Sequence, residues 1–429
     1  MKSFKLKNFL KFNKRIFTNT NINTNKNNTN KIIENDFDFF SHKFTTEMQF
    51  RKHAEKFQCF RVMDLEGNII SKNYENIPKE KALRIFNTMV KIHESDIRLN
   101  MAQREGKISF YMTCIGEEAS VTASCAALDD SDMIFPQYRE AACILYRGIP
   151  LQLMIHQLAG NSLDTNKGRQ MPVHYGYKSI NFQSVSSPLC TQVPQASGAG
   201  YHYRVQNLDR IAVTYFGEGA ASEGDFHPAL NFAATLKSQT LFICRNNMYA
   251  ISTPIDDQYG GDGIAARGLA YGINTIRCDG NDVFAVYNAV KAAREYIVKN
   301  KAPALVEIMS YRGGDHSTSD FSKMYRTEEE MKKWNEFIAN IGNPINRFYS
   351  YLEKKKWINE KEYKQMIDSS KEEVRECLKN SMKVKLPSIE SLFDDVYENL
   401  PVHLVEQRDH LKKHIEKYAE QYEIDKYAK

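Results

Sequence analysis

Apolar residues near the middle of the chain form two short β-rich runs, at 211–216 and 241–244. Between the runs lie a turn of small residues and a stretch with helical spacing. The pattern therefore predicts a strand–turn–helix–strand unit over residues 211–249.

Further elements are predicted on both sides of this unit. Helices are expected over 77–104 and 116–128, a strand over 274–278, a helix over 282–299 and a strand over 304–309. From residue 328 the sequence is mostly charged helix, interrupted at 342–344. The fold class is therefore α/β, with a mainly parallel sheet flanked by helices, an N-terminal extension and a C-terminal helical region.

The turn at 217–221 has small residues around one carboxylate, Glu218, so backbone amides at the following helix start can approach a phosphate. The second strand runs into Asn247. Because parallel strands end at the same edge of a sheet, Glu218 and Asn247 can converge on one ion. With a nearby backbone carbonyl they form the oxygen shell that Mg²⁺ takes. The alternative is a Rossmann glycine loop or a plain turn, but Ser222 stands where the dinucleotide motif has its third Gly or Ala.

Three other stretches have candidate chemistry. Gln137, Tyr138 and Arg139 lie at a predicted helix start, where an arginine either suits a diphosphate oxygen or is an ordinary capping residue. Segment 184–200 is rich in hydroxyls and either presents oxygens to a ligand or monovalent cation or is a simple loop. His316 follows a strand of the same sheet at the edge where ligands bind; alone, it would be a solvated loop histidine.

Composition restricts the class of protein. The 429 residues can bury a large core, and 42% hydrophobic with 26% charged residues argues against a disordered or membrane protein.

Residues 1–33 contain eight Lys or Arg and no Asp or Glu, which predicts a cleavable mitochondrial presequence; the alternative is a disordered basic arm. Without those eight charges the balance of +5 becomes −3, so nucleic-acid binding loses its support. The eight cysteines form no CxxC pair, which indicates free thiols in a reducing compartment.

Short segments from about residue 60 to the C-terminus resemble one family, among them ISFYMTCIGEEAS, QYREA, GRQMPVHYG, SSPLCTQVPQA, YFGEGAASEGD, CRNN and HSTSD. They are similar to segments of thiamin-diphosphate enzymes, and most of all to α subunits of the branched-chain 2-oxo acid dehydrogenase decarboxylating component. With the presequence predicted at 1–33, we expect an N-terminal extension at 34–76, a thiamin-diphosphate-binding domain at 77–327 and a helical region contacting partner subunits at 328–429.

The resemblance also implies a ligand for each matching residue. Thiamin diphosphate would be contacted by Tyr138, Arg139, Ser187, Gly219, Ala220, Arg245 and His316. Magnesium would be bound by Glu218, Asn247 and the carbonyl of Tyr249, and potassium by Ser186, Pro188, Thr191 and Gln192. His316 is the expected catalytic residue, and Ser317 is the expected site of regulatory phosphorylation.

Three positions depart from the family pattern. Asp315 stands where relatives usually carry a second His, so we expect a raised pKa for His316. Met248 replaces a glycine, which predicts a strained turn before Tyr249. Thr327 replaces a second regulatory serine, which weakens the case for phosphorylation at two sites.

The implied activity is oxidative decarboxylation of branched-chain 2-oxo acids in the mitochondrial matrix, with acyl transfer to the lipoyl group of a partner acyltransferase. The chain has room for one α/β domain, so the carboxylate at the aminopyrimidine ring is expected from a β subunit, in a heterotetramer of two α and two β chains. A regulatory kinase and phosphatase are further expected partners, whereas nucleic acid and membrane are not. The alternatives are a pyruvate dehydrogenase α subunit, an NAD-linked oxidoreductase and a catalytically silent scaffold subunit.

Overall fold

The sheet at the centre of the protein is parallel throughout. In chain order the strands of the computed structural model are β1 (Met133–Phe135), β2 (Ala212–Gly217), β3 (Thr240–Asn246), β4 (Tyr249–Ala250), β5 (Thr253–Pro254), β6 (Asn274–Asp279) and β7 (Ala304–Met309). Five of them form the sheet in the order β1-β2-β3-β7-β6, while β4 and β5 form a separate antiparallel hairpin. The predicted parallel α/β sheet is thus confirmed.

The register of the two central strands places their last residues side by side. Phe216 pairs with Cys244, and Gly217 pairs with Arg245. Every residue of β3 is buried, because helices cover both faces of the sheet. As a result, the residues that follow β2 and β3 emerge together at the carboxyl edge.

Helices surround this sheet. In chain order they are α1 (Lys79–Arg104), α2 (Glu118–Ala126), α3 (Ala141–Tyr146), α4 (Leu151–Ala159), α5 (Gln192–Val205), α6 (Phe226–Thr235), α7 (Ile255–Gln258), α8 (Ala265–Ala270), α9 (Val283–Asn300), α10 (Glu328–Ala339), α11 (Pro344–Lys354), α12 (Glu360–Ser381) and α13 (Val402–Lys417). Asp282 caps α9 by accepting hydrogen bonds from the amides of Phe284 and Ala285, which satisfies two donors of its first turn.

The C-terminal helices contribute to the core and also leave apolar surface. Phe348 and Leu352 of α11 are fully buried, and α12 packs against α1 and α4. By contrast, α13 buries none of its residues, and three apolar side chains before it, Leu392, Val396 and Tyr397, are more than half exposed. This region therefore has a face without a partner among the described residues.

The structure describes residues 48, 50, 55–339 and 342–428. The predicted presequence at 1–33 and part of the predicted extension at 34–76, residues 34–47, 49 and 51–54, lie outside the described residues. The three predicted domain boundaries stay predictions. Across the described ranges, no helix combines the length and the apolar character needed to cross a membrane.

Candidate active site

A cavity of about 180 Å³ opens at the carboxyl ends of β2 and β3. Its lining includes nine of the residues that the sequence predicts to hold thiamin diphosphate or magnesium: Tyr138, Arg139, Glu218, Gly219, Ala220, Arg245, Asn247, Tyr249 and His316. The remaining wall contains residues that the prediction did not assign, among them Gln137, Leu189, Glu223 and Ile251.

Glu218 provides a buried carboxylate with spare hydrogen-bonding capacity. Its side chain is 1% exposed. Its Oε2 accepts a hydrogen bond from the backbone amide of Asn247 at 3.3 Å, and its Oε1 has no partner among the described residues. Burial raises the pKa of this carboxyl to about 7, and the negative charge of Glu117 adds to the rise. An unpartnered carboxylate oxygen in a buried site is costly, and a bound cation would remove that cost.

A pair of further carboxylates holds the arginine that ends β3. Arg245 is 1% exposed; its Nη1 donates to Glu117 at 2.6 Å, its Nε donates to Glu140, and its Nη2 has no partner. Burial alone would raise the pKa of Glu117, but the guanidinium groups of Arg245 and Arg139 hold it below its usual value. The pKa of Glu140 is raised because burial outweighs the attraction of Arg245. The site thus retains one unpaired guanidinium donor for an anion.

His316 also lines the cavity and lies against Arg139. Arg139 Nη2 donates to the His316 carbonyl at 2.8 Å and lies 3.3 Å from its Nδ1. Burial, followed by the positive charges of Arg139 and Arg312, lowers the pKa of His316 to about 3. The expectation of a raised pKa for His316 is therefore wrong. The Asp315 carboxylate, which was expected to raise it, instead accepts a hydrogen bond from the Ser322 amide at 2.9 Å.

The turn that follows Asn247 is held in the left-handed region. Met248 has φ +72°, as predicted from its replacing a glycine, and its amide donates to the Asn246 side chain at 3.2 Å. The turn leads into the β4–β5 hairpin and carries Tyr249 to the cavity wall. Backbone strain at Met248 is therefore adjacent to two of the expected magnesium ligands.

The turn after β2 differs in part from the prediction. A short 3₁₀ turn, Ala220–Ser222, follows Gly219, and the long helix α6 begins only at Phe226. The helix is delayed because Glu223 is extended, with ψ 150°. The amides near the cavity therefore belong to the 3₁₀ turn rather than to the start of α6. A Cβ on Gly219 would lie 2.5 Å from the Ala250 Cβ, so this position requires glycine.

The predicted potassium residues form a separate group of oxygens. Thr191 Oγ1 lies 3.0 Å from Ser186 Oγ and 3.1 Å from the Pro188 carbonyl, while Gln192 Nε2 donates to a carbonyl of β2 at 2.9 Å. Ser187 is absent from the cavity lining among the described residues; its hydroxyl lies 2.7 Å from His174 Nε2.

The segment that carries Ser317 is docked against the chain before α2. Thr318 and Tyr111 exchange two hydrogen bonds, each of 3.0 Å: the Thr318 amide donates to the Tyr111 carbonyl, and the Tyr111 amide donates to Thr318 Oγ1. Ser317 itself is 9% exposed, and its Oγ accepts from the Ser319 amide at 3.2 Å. In this conformation the predicted modification site is buried.

Sequence reasoning missed Glu117 and Glu140 as parts of the site. Both begin short helices rich in small residues, and each is 1% exposed. A carboxylate just before a run of small or apolar residues was an available signal, since carboxylates are rarely buried without a partner.

Together these groups can hold a doubly charged anion with a divalent cation. The cavity offers an unpaired guanidinium nitrogen, an unpaired carboxylate oxygen, an amide side chain and a neutral imidazole. A site of this kind at the carboxyl edge of a parallel α/β sheet defines a class of enzymes that bind a phosphorylated cofactor there.

Comparison with known proteins specifies the class further. Residues 87–390 match the family described as dehydrogenase E1 component. The chain belongs to this family of thiamin-diphosphate-dependent 2-oxo acid dehydrogenases.

Individual relatives are similar over most of their length. The chain is 48% identical to the mitochondrial 2-oxoisovalerate dehydrogenase subunit alpha of Homo sapiens, over 86% of this chain and 82% of that protein. It is 44% identical to the protein of the same name in Dictyostelium discoideum, over 90% of this chain and 87% of that protein. It is 43% identical to the mitochondrial 2-oxoisovalerate dehydrogenase subunit alpha 2 of Arabidopsis thaliana, over 89% of this chain and 81% of that protein.

Proposed function

We propose that the chain is the α subunit of a branched-chain 2-oxo acid dehydrogenase, which decarboxylates its substrate oxidatively and transfers the acyl group to the lipoyl group of a partner acyltransferase. The observation that carries the proposal is the cavity at the carboxyl edge, where Glu218 and Asn247 meet Arg139 and Arg245. The names of the relatives favour 2-oxoisovalerate, a branched-chain 2-oxo acid, over pyruvate. The NAD-linked alternative has no comparable support, because the glycine motif is incomplete at Ser222.

The residues present fit thiamin diphosphate and magnesium. The unpartnered Glu218 Oε1, the Asn247 side chain and the Tyr249 carbonyl would bind Mg²⁺, which prefers oxygen ligands. Arg139 and the unpartnered Nη2 of Arg245 would neutralise the diphosphate. When bound, the cofactor supplies a nucleophilic carbon and an acceptor for the electrons released as CO₂ leaves.

His316 would then act as a neutral proton donor or acceptor. Its pKa of about 3 keeps the imidazole uncharged at physiological pH. Because a guanidinium group can only donate, the contact from Arg139 to Nδ1 assigns the lone pair to Nδ1 and the proton to Nε2. The tautomer therefore leaves an N–H available at Nε2.

The active site requires a second chain. Of the described residues, Glu218 and Glu223 are the carboxylates that line the cavity; Glu218 would bind magnesium, and Glu223 is exposed. Because the chain also has room for only one α/β domain, the carboxylate at the aminopyrimidine ring is expected from a β subunit. The exposed apolar side chains around Leu392 and Val396 support a partner-contacting role for the C-terminal helical region. An assembly of two α and two β chains in the mitochondrial matrix follows from the same proposal; the relatives' names include the word mitochondrial.

Potassium binding and phosphorylation are further parts of the proposal. The oxygens of Ser186, Pro188 and Thr191 lie close enough to share one monovalent cation. Phosphorylation of Ser317 would add about two negative charges to a buried loop beside His316. A kinase would have to release the loop from Tyr111 to reach this hydroxyl.

The test is an assay of CO₂ release by the co-purified α and β chains. With thiamin diphosphate and Mg²⁺ we expect turnover of 2-oxoisovalerate in preference to pyruvate, and no turnover by the α chain alone. Glu218→Ala serves as the matched inactive variant. Preference for pyruvate, or turnover without thiamin diphosphate, would contradict the proposal.

A further inference from the structure

Glu117 touches three residues of the candidate site without lining the cavity. It stands at the N-terminus of α2, and its side chain is 1% exposed. Its Oε1 accepts from Asn247 Nδ2 at 2.7 Å, and its Oε2 accepts from Arg245 Nη1 at 2.6 Å. Arg139 Nε lies 3.8 Å from Oε1. One carboxylate thus joins groups from two separate parts of the chain.

The contact with Asn247 fixes which end of the amide is available to a cation. An ionised carboxylate only accepts hydrogen bonds, so it must face the amide nitrogen rather than the amide oxygen. The oxygen, Oδ1, then faces away from Glu117, where it accepts from the Tyr249 amide at 3.3 Å. A hard cation needs that oxygen and is repelled by the nitrogen.

The contact with Arg245 acts in the same way on the anion side. Glu117 and Glu140 occupy Nη1 and Nε, so the guanidinium plane is fixed and Nη2 is the nitrogen that remains. The two carboxylates also give this buried arginine a counter-charge before any ligand binds.

We propose that Glu117 is a positioning residue that directs Asn247 Oδ1 toward magnesium and Arg245 Nη2 toward the diphosphate. This role rests on the proposed function. Residues that orient metal ligands typically change metal affinity by about 10- to 100-fold when they are altered.

The test is a charge-swap cycle on the complex of α and β chains, read by calorimetric titration of Mg²⁺ in the presence of thiamin diphosphate. Glu117→Gln replaces one of the two acceptor oxygens with an amide donor, so Asn247 Nδ2 and Arg245 Nη1 cannot both keep an acceptor. We expect Mg²⁺ affinity to fall about 10- to 100-fold. Asn247→Asp alone opposes two carboxylates and should also weaken binding. Together, the two substitutions restore a donor–acceptor pair with reversed polarity, and we expect affinity within about fivefold of the unsubstituted complex.

The control is Glu118→Gln, which changes the neighbouring buried carboxylate. Glu118 contacts His93 at 2.8 Å and the Gly116 amide at 2.9 Å rather than the site, so Mg²⁺ affinity should stay within about twofold of the unsubstituted complex. Thermal unfolding and size-exclusion chromatography of each complex report folding and assembly separately.

The outcomes separate the positioning role from the proposed function. Unchanged Mg²⁺ affinity in Glu117→Gln, or a double variant no tighter than Asn247→Asp alone, overturns the positioning role. If Glu117→Gln does not assemble, the comparison of Asn247→Asp with the double variant still decides. An unsubstituted complex that binds neither Mg²⁺ nor thiamin diphosphate overturns the proposed function instead.

Discussion

Magnesium binding should release a proton from Glu218, and Glu218→Gln should abolish that release. The carboxyl has a pKa of about 7 in the metal-free protein because it is buried. At that pKa it holds about 0.8 proton at pH 6.5 and about 0.1 at pH 8. Because the cation binds the ionised form, its apparent affinity should weaken about tenfold from pH 8 to pH 6.

The same pKa fixes the sign of a stability change. Since the folded pKa exceeds the ordinary value of 4.5, the folded protein binds more protons than the unfolded chain between about pH 4.5 and 7. This carboxyl therefore makes the metal-free protein less stable as pH rises through that window, by ~3 kcal/mol in total. His316 acts in the opposite direction below pH 6.5, so only the difference from Glu218→Gln isolates the Glu218 contribution.

The assay is calorimetric titration of Mg²⁺, with thiamin diphosphate present, in buffers of different ionisation enthalpy. Heats for free thiamin diphosphate are subtracted, because its phosphate also takes up protons. Equal proton release by the unsubstituted complex and by Glu218→Gln at pH 6.5 would refute the assignment of Glu218 as the ligand. A pH-independent Mg²⁺ affinity would refute the raised pKa.

Three other predictions concern the turns and the loop. Met248→Gly should raise the free energy of unfolding by ~1 kcal/mol, measured by thermal melting, because it relieves a left-handed conformation at φ +72°; a loss of stability would contradict this. Gly219→Ala should weaken thiamin-diphosphate binding at least about tenfold by displacing the hairpin that carries Tyr249, whereas Gly224→Ala, with open space around its Cβ, should bind normally in the same titration. Ser317→Glu should abolish activity of the whole complex and Ser317→Ala should retain it, since a charge in this buried loop opposes its docking; normal activity in the Glu variant would exclude a charge-sensitive loop.

Periodicity was sufficient to predict the sheet and the convergence at its edge. The apolar runs before Glu218 and before Asn247 are short and β-rich, which is typical of buried parallel strands, and their register in the structure brings both residues to one cavity. The left-handed Met248 was also foreseeable, because an L residue stood in a glycine position.

Tertiary electrostatics could not be predicted in the same way. The pKa of His316 depends on Arg139 and Arg312, which approach it from distant parts of the sequence, whereas the adjacent Asp315 turns toward Ser322. The place of Glu117 depends on partners from two parts of the chain that are distant from it in the sequence, Arg139 in one and Arg245 and Asn247 in the other. Sequence proximity is therefore a poor guide to which charges interact inside a folded site.

The sharing of Arg245 between Glu117 and Glu140 has a consequence for how this protein can change over evolutionary time. An Arg245 substitution would leave Glu140 buried without its counter-charge and Glu117 with only the longer contact to Arg139, a loss typically of ~3–5 kcal/mol, which is a large part of a domain's stability. Genetic drift therefore cannot remove the anion-binding group while leaving a folded chain. A lineage that lost the activity would have to replace Arg245, Glu117 and Glu140 together to keep a stable fold. These ion pairs of the cofactor pocket are therefore under selection for folding as well as for catalysis.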